Sequence, residues 1–222
     1  RNVLAVHALN AGLASSDLLV LPELIAVDVQ KLDLSEVTDG YLLRPTPGGA
    51  NLASLAQAGP LIRSVTENPP PPAPGQDLVI MANVTETLAA IKSVRLFFRV
   101  NFVIDSRFMP ATGLPMVDDG TGADAAAGDG IYTAVISAQF YSPGNTVCWY
   151  VRAEDINGNK SRNPLFPYPD NSPEYYGTVV QDPSIHSSLP IFHWFVQNVA
   201  ASEGRSTTRA SVYYDGEFYD NV

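Results

Sequence analysis

Between Pro60 and Val180 seven short apolar runs alternate with clusters of Pro, Gly, Asn and Asp. That rhythm is the strongest constraint on the fold. Leu61–Thr66, Asp77–Val84, Lys92–Phe102, Leu114–Val117, Gly130–Ile136, Asn145–Asp155 and Tyr175–Val180 are each of strand length. None carries the 3.6-residue periodicity of a long helix. Val147–Asp155 alternates Trp149, Val151 and Ala153 on one side with Tyr150 and Arg152 on the other. One face of such a strand enters a core and the other faces water. Asn157-Gly158 follows at once, a strong signal for a tight hairpin turn. Seven short strands in about 120 residues match an immunoglobulin-type or fibronectin III-like sandwich. The expected fold class is therefore all-β.

The flanks read as parts of other β domains. Asn2–Leu9 and Asp17–Val29 are two apolar strand candidates, too few to make a stable sheet by themselves. Lys31–Gly59 loses the alternation and carries the turn-rich Arg44-Pro45-Thr46-Pro47-Gly48-Gly49. Beyond the linker Gln181–Leu189, Pro190–Val196 is strand-like and Asn198–Arg205 suits a short helix or loop. Thr207–Tyr214 and Glu217–Val222 form a hairpin across Asp215-Gly216. The expected organisation is 1–59 as the end of one domain plus linker, 60–180 as a complete sandwich, and 181–222 as a linker and the first strands of the next. Since the sequence starts at Arg1 and both ends read as interrupted elements, it is expected to be an internal piece of a longer polypeptide.

Charge and composition exclude several function classes. The formal net charge of −10 disfavours nucleic acid, which needs clustered Lys and Arg. No apolar run reaches the roughly 20 residues needed to span a bilayer as a helix. The single cysteine, Cys148, has no internal disulfide partner and sits in an apolar run, as a small buried hydrophobe would. His7, His186 and His193 lack metal-ligand spacing, and no Ser lies in a nucleophile elbow. The four prolines Pro69–Pro72 read as a stiff turn between the first two strands; a proline-reading partner is the alternative. Arg162–Pro173 is rich in proline and aromatics. It would cover an open end of the sandwich or offer a peptide or glycan platform.

One stretch offers a metal chemistry. Asp118, Asp119, Asp124 and Asp129 lie within twelve residues, spaced by Gly and Ala. Calcium takes several carboxylate and carbonyl oxygens from a flexible loop. The spacing is not that of the helix-flanked calcium loop, and Asp is equally a turn former that bonds its own downstream amides. Both roles, turn closure and a calcium site, stay open on spacing alone.

Three stretches carry resemblances. Val147–Asn163 resembles the late strand of fibronectin III and immunoglobulin-like modules, and Asp118–Thr133 resembles a segment recurring in such modules of large bacterial surface proteins. Asn2–Val29 with YLLRPTPGGAN resembles the end of a galactose-binding-like jelly roll. Leu189–Val222, with LPIFHWFVQN and RASVYYDGEFYDNV, resembles the opening of the CotH family of spore-coat protein H type, atypical protein kinases. These resemblances imply a secreted or surface multidomain bacterial protein with a kinase domain beginning near the C-terminal end. The family's nucleotide-binding lysine and metal-binding aspartates would lie past Val222, so no catalytic or cofactor-binding residue is assigned to this chain. The expected role is a non-catalytic spacer and interaction segment whose partners are the flanking domains. Two alternatives are substrate docking for the kinase through Arg162–Pro173, and a calcium- or glycan-binding adhesion module built on the aspartate loop.

Overall fold

The computed structural model describes residues 58–103, 112–170, 172–204 and 206–222. All of them fall within one compact unit. The strand candidates Asn2–Leu9 and Asp17–Val29, His7, and nearly all of the first expected domain lie outside the described residues.

The seven expected strands of the sandwich all form. They are β1 (Leu61–Asn68), β2 (Leu78–Thr85), β3 (Ile91–Val100), β4 (Leu114–Met116), β5 (Ile131–Ile136), β6 (Thr146–Asp155) and, after one further strand, β8 (Tyr176–Val179). That further strand, β7 (Lys160–Asn163), was not expected. One sheet has the order β1-β2-β5; the other has β4-β3-β6-β7, with β8 also paired to β6. All these pairings are antiparallel.

The core lies between the two sheets. Leu78, Ile80, Ala82 and Val84 alternate inward from β2, and Val94, Leu96, Phe98 and Val100 from β3. Trp149, Val151 and Ala153 enter from β6, as their alternation predicts. Tyr141 closes one end of this core, and its hydroxyl donates to Gln76 O at 2.5 Å.

The partner edge of β6 is divided. β3 pairs with one edge of β6 over nearly its whole length, from Ile91 to Val100. On the other edge, Val151–Glu154 pair with β7 and Thr146–Trp149 pair with β8. The chain leaves the sheet between these strands, over Pro164–Tyr175, and returns. β7, of sequence KSRN, has no apolar alternation to reveal it. Its place follows from the preceding turn and from the ion pair across it, Glu154 with Lys160 Nζ at 3.6 Å; from the other edge of β6, Lys92 Nζ of β3 meets the same carboxylate at 2.8 Å.

That turn is built on Asp155, which has no exposed surface. Burial would raise its carboxyl, but donors outweigh it: the Asn159 side chain at 2.8 Å and the Asn157 and Asn159 amides at 2.9 and 2.8 Å. The result is a pKa below the ordinary aspartate value. A depressed carboxyl stabilises the fold above its unfolded pKa, near 4, and loses that contribution as pH falls through the lower folded value. Urea midpoints are therefore expected to fall as pH drops below about 4, with a shallower acid limb in Asp155→Asn. An unchanged limb in that variant would remove Asp155 from the account.

After Val180 the chain builds a third sheet from β9 (Phe192–Val196), β10 (Ala210–Tyr214) and β11 (Glu217–Asp220), with β10 central. The expected hairpin across Asp215-Gly216 is β10–β11, paired from Tyr214↔Glu217 to Ser211↔Asp220. Between β9 and β10 lies the one-turn helix α1 (Val199–Ser202), capped by the Asn198 side chain accepting from the Ala201 amide. Among the described residues no helix is long and apolar enough to cross a membrane.

Candidate functional site

Charged side chains gather in the aspartate loop between β4 and β5 and at the seam where the third sheet meets the sandwich.

In the loop, Asp118, Asp124 and Asp129 converge, with one carboxylate oxygen from each lying within 4.8 Å of the others. Asp119 does not join them. Its Oδ1 accepts from the Thr121 amide at 2.9 Å and hydroxyl at 2.7 Å, and the hydroxyl bond first of all holds its carboxyl below the usual range. The three that converge also serve the backbone. Asp118 accepts from the amides of Gly128, Asp129 and Gly130 at 2.6, 3.2 and 3.0 Å. Asp124 accepts from Gly120 at 2.6 Å, and Asp129 from Ile131 at 2.9 Å. Asp118 thus ties the start of the loop to its end, and delivers the chain into β5 through Gly130, whose φ of +80° suits glycine. A cation here would use carboxylate lone pairs that these amides leave free.

The seam is the more elaborate site. The outer face of the second sheet was expected to meet water, yet Arg99 on β3 is buried there; its cross-strand neighbour on β6, Cys148, is buried as expected. The reason is the third sheet, which together with Pro164–Tyr175 covers that half of the face. Asp220, at the end of β11, is the centre of the contact. Its Oδ2 accepts from the Glu174 and Tyr175 amides at 2.9 and 3.0 Å and from Arg209 Nη2 at 2.9 Å. Its Oδ1 accepts from the Ser211 hydroxyl at 2.8 Å and faces Arg99 Nη2 at 3.6 Å, an ion pair rather than a hydrogen bond. Arg209 also pairs with Glu174. The Arg99 guanidinium lies between the rings of Phe102 and Tyr175, 4.3 and 4.7 Å from their centroids.

Aromatic and guanidinium groups continue along this face. Phe97 and Tyr150 stack at 4.8 Å, Arg152 covers Phe97 at 4.6 Å, and Arg162 covers Tyr150 at 4.0 Å. Arg162 donates to the carbonyls of Pro164 and Glu174 at 2.8 and 2.5 Å. Asn221 donates to the carbonyls of Pro169 and Ser172 at 2.8 and 2.9 Å. The Arg162–Pro173 stretch is thereby held between sandwich and third sheet. The approach is also close at Gly177 on β8, where a Cβ would stand 2.6 Å from the Phe218 ring.

Cys148 lies within this seam. Burial pushes its thiol up to about 11, against the opposing pull of Arg99. The cationic neighbour is cross-strand, invisible in the flanking Val147 and Trp149, and burial still dominates. A thiol so placed is a packing group.

The opposite face of the third sheet carries Phe192, Trp194, Tyr214 and Tyr219, all exposed, with Trp194 at 65% of its full accessibility. Phe192 packs edge-on to Trp194 at 6.2 Å and tilted against Tyr214 at 6.0 Å. The sheet is thus bound on one side and apolar on the other.

Comparison of the chain with family models, with curated proteins and with solved structures finds no match.

Proposed function

We propose that this chain is a non-catalytic spacer and interaction segment of a secreted or surface multidomain bacterial protein, placed ahead of a CotH-like kinase domain. The observation that carries the reading is the Asp220 contact. An immunoglobulin/fibronectin III-like module that only separates its neighbours needs no buried ion network; one that sets their orientation does. Arg99 and Tyr175 from the sandwich side and Ser211, Arg209 and Asp220 from the third sheet interlock through hydrogen bonds, ion pairs and ring contacts. Two antiparallel sheets, of three and five strands, packed around one core support the immunoglobulin/fibronectin III-like reading of the module, with β7 and β8 sharing one edge of β6. The exposed aromatic face of the third sheet is the kind of surface that a flanking domain covers.

The test is residual dipolar couplings measured on the chain. Amides of the sandwich and of β9–β11 are expected to fit one alignment tensor, and in Asp220→Asn to need two. Two tensors in the wild type would reject the orienting role. Kinase activity of a longer polypeptide carrying this segment, unchanged after deletion of 60–180, would exclude the alternative of substrate docking.

A calcium-binding module is the second reading, favoured by the convergence of Asp118, Asp124 and Asp129. Calorimetric titration with calcium decides it. Heat of binding with a rise in Tm, both lost in Asp124→Asn, is expected on this reading. No heat and an unchanged Tm would leave the carboxylates as turn closers.

A further inference from the structure

On the outer face of the second sheet, away from the third sheet, the register places like charges side by side. Arg95 on β3 is directly opposite Arg152 on β6, and Arg152 is directly opposite Arg162 on β7. Like charges directly opposite one another repel across neighbouring strands. Composition does not force such a row, because the chain holds only 13 Lys and Arg against 23 Asp and Glu.

Arg162 escapes the repulsion by turning onto Tyr150 and the carbonyls of Pro164 and Glu174. Arg95 and Arg152 do not escape. Among the described residues neither meets a carboxylate: Arg95 reaches only Gly113 O at 3.5 Å, and Arg152 lies over the Phe97 ring. The acid that lines the same concavity, Glu154, is held by Lys92 and Lys160. This part of the face thus carries Arg95, Arg152, Lys92 and Lys160 against the one carboxylate of Glu154.

These two arginines line a concavity of about 200 Å³ together with Ser93, Thr112 and Glu154. That is smaller than the pockets of drug-sized ligands and sufficient for a small ion. Guanidinium forks and hydroxyl donors are the groups that recognise tetrahedral oxyanions. Two uncompensated guanidiniums match a dianion, whereas a single carboxylate would leave one of them unbalanced.

We propose that Arg95 and Arg152, with the hydroxyls of Ser93 and Thr112, form a binding site for a tetrahedral dianion, a phosphate or sulfate group. The site is independent of the orienting role, since it lies apart from the Asp220 contact.

The experiment is a titration of the whole chain, followed by amide resonances, with inorganic phosphate, inorganic sulfate and phosphoserine. Sodium chloride holds ionic strength constant, so general screening is removed. Saturable shifts centred on Ser93, Arg95, Thr112 and Arg152 are expected. Arg95→Gln and Arg152→Gln should each weaken binding about tenfold, the loss of one charge-assisted bond. Arg63→Gln, on the exposed edge of the other sheet, should bind as the wild type does. If Arg152→Gln unfolds through loss of its contact with Phe97, Arg95→Gln decides alone. Tighter binding of phosphoserine than of inorganic phosphate would assign the site to a phosphate monoester; equal or weaker binding would assign it to the free ion. Tighter binding of sulfate than of both would assign it to a sulfate group. Shifts that chloride reproduces, or undiminished binding by Arg95→Gln, would overturn the proposal.

Discussion

Asp220→Ala is expected to lower stability by about 3–5 kcal/mol, the range for removing one partner of a buried ion pair. The deletion strands several groups at once. Arg99 is 3% exposed, and among the described residues its Nη2 has no other acceptor. Arg209 would retain Glu174, but among the described residues its Nε already has no partner. The amides of Glu174 and Tyr175 and the Ser211 hydroxyl would lose their acceptor as well. Most of the penalty comes from leaving the buried Arg99 charge without a counter-ion, so Asp220→Asn should recover only part of it. Urea denaturation measures the total. Hydrogen exchange locates it, and amides of β9–β11 should lose protection before those of β2 and β3. A loss below about 1 kcal/mol would place this pair among the solvent-screened ones, contrary to its burial.

Trp149→Ala is the second large effect, again about 3–5 kcal/mol, from a cavity in the centre of the sandwich core. Trp149 is 1% exposed and belongs to the same cluster as Phe98, Leu96 and Val151. Its Nε1 finds no acceptor among the described residues, so the indole already bears the cost of a buried, unmade hydrogen bond. Replacement by phenylalanine leaves a smaller cavity and removes that orphan donor. Trp149→Phe should therefore cost less than about 2 kcal/mol. Circular dichroism in urea distinguishes the two variants. Equal losses for Phe and Ala would mean that ring volume matters little and the core collapses around either.

The two cases differ in how far the sequence foretells them. Trp149 announces itself, because Trp149, Val151 and Ala153 alternate on one side of a run bounded by an Asn-Gly turn. The same local logic finds the other expected strands, whose apolar periodicity is short-range. It fails at β7, where four polar residues are held by the Asp155 turn and by Lys160 on Glu154. Asp220 and Arg99 are far apart in sequence, and nothing near either residue marks it as buried. Cys148 is legible as a buried hydrophobe from its apolar run, whereas the burial of Arg99 arises only when the third sheet folds over a face that alternation assigns to water.

The aspartate loop lies between these extremes. Clustering of Asp118, Asp119, Asp124 and Asp129 is plain in the sequence, and the local bond from Thr121 to Asp119 is a familiar short-range pattern. Which carboxylates meet depends on Asp118 reaching across the loop to the amides of Gly128, Asp129 and Gly130, a closure that spacing alone does not specify.

The division of the strand that borders β6 bears on solubility. An open sheet invites another copy to add to its ladder, a hazard that grows where repeated modules are tethered close together. Here that border is broken by the excursion over Pro164–Tyr175 into two four-residue pieces, β7 and β8. At the sheet's other border β4 is three residues long and contains Pro115, which has no amide to offer. In the first sheet β1 is interrupted by an irregularity between Ile62 and Ser64, with the charged Arg63 at that point. At these three borders the interruptions give an arriving strand little continuous backbone to zip onto.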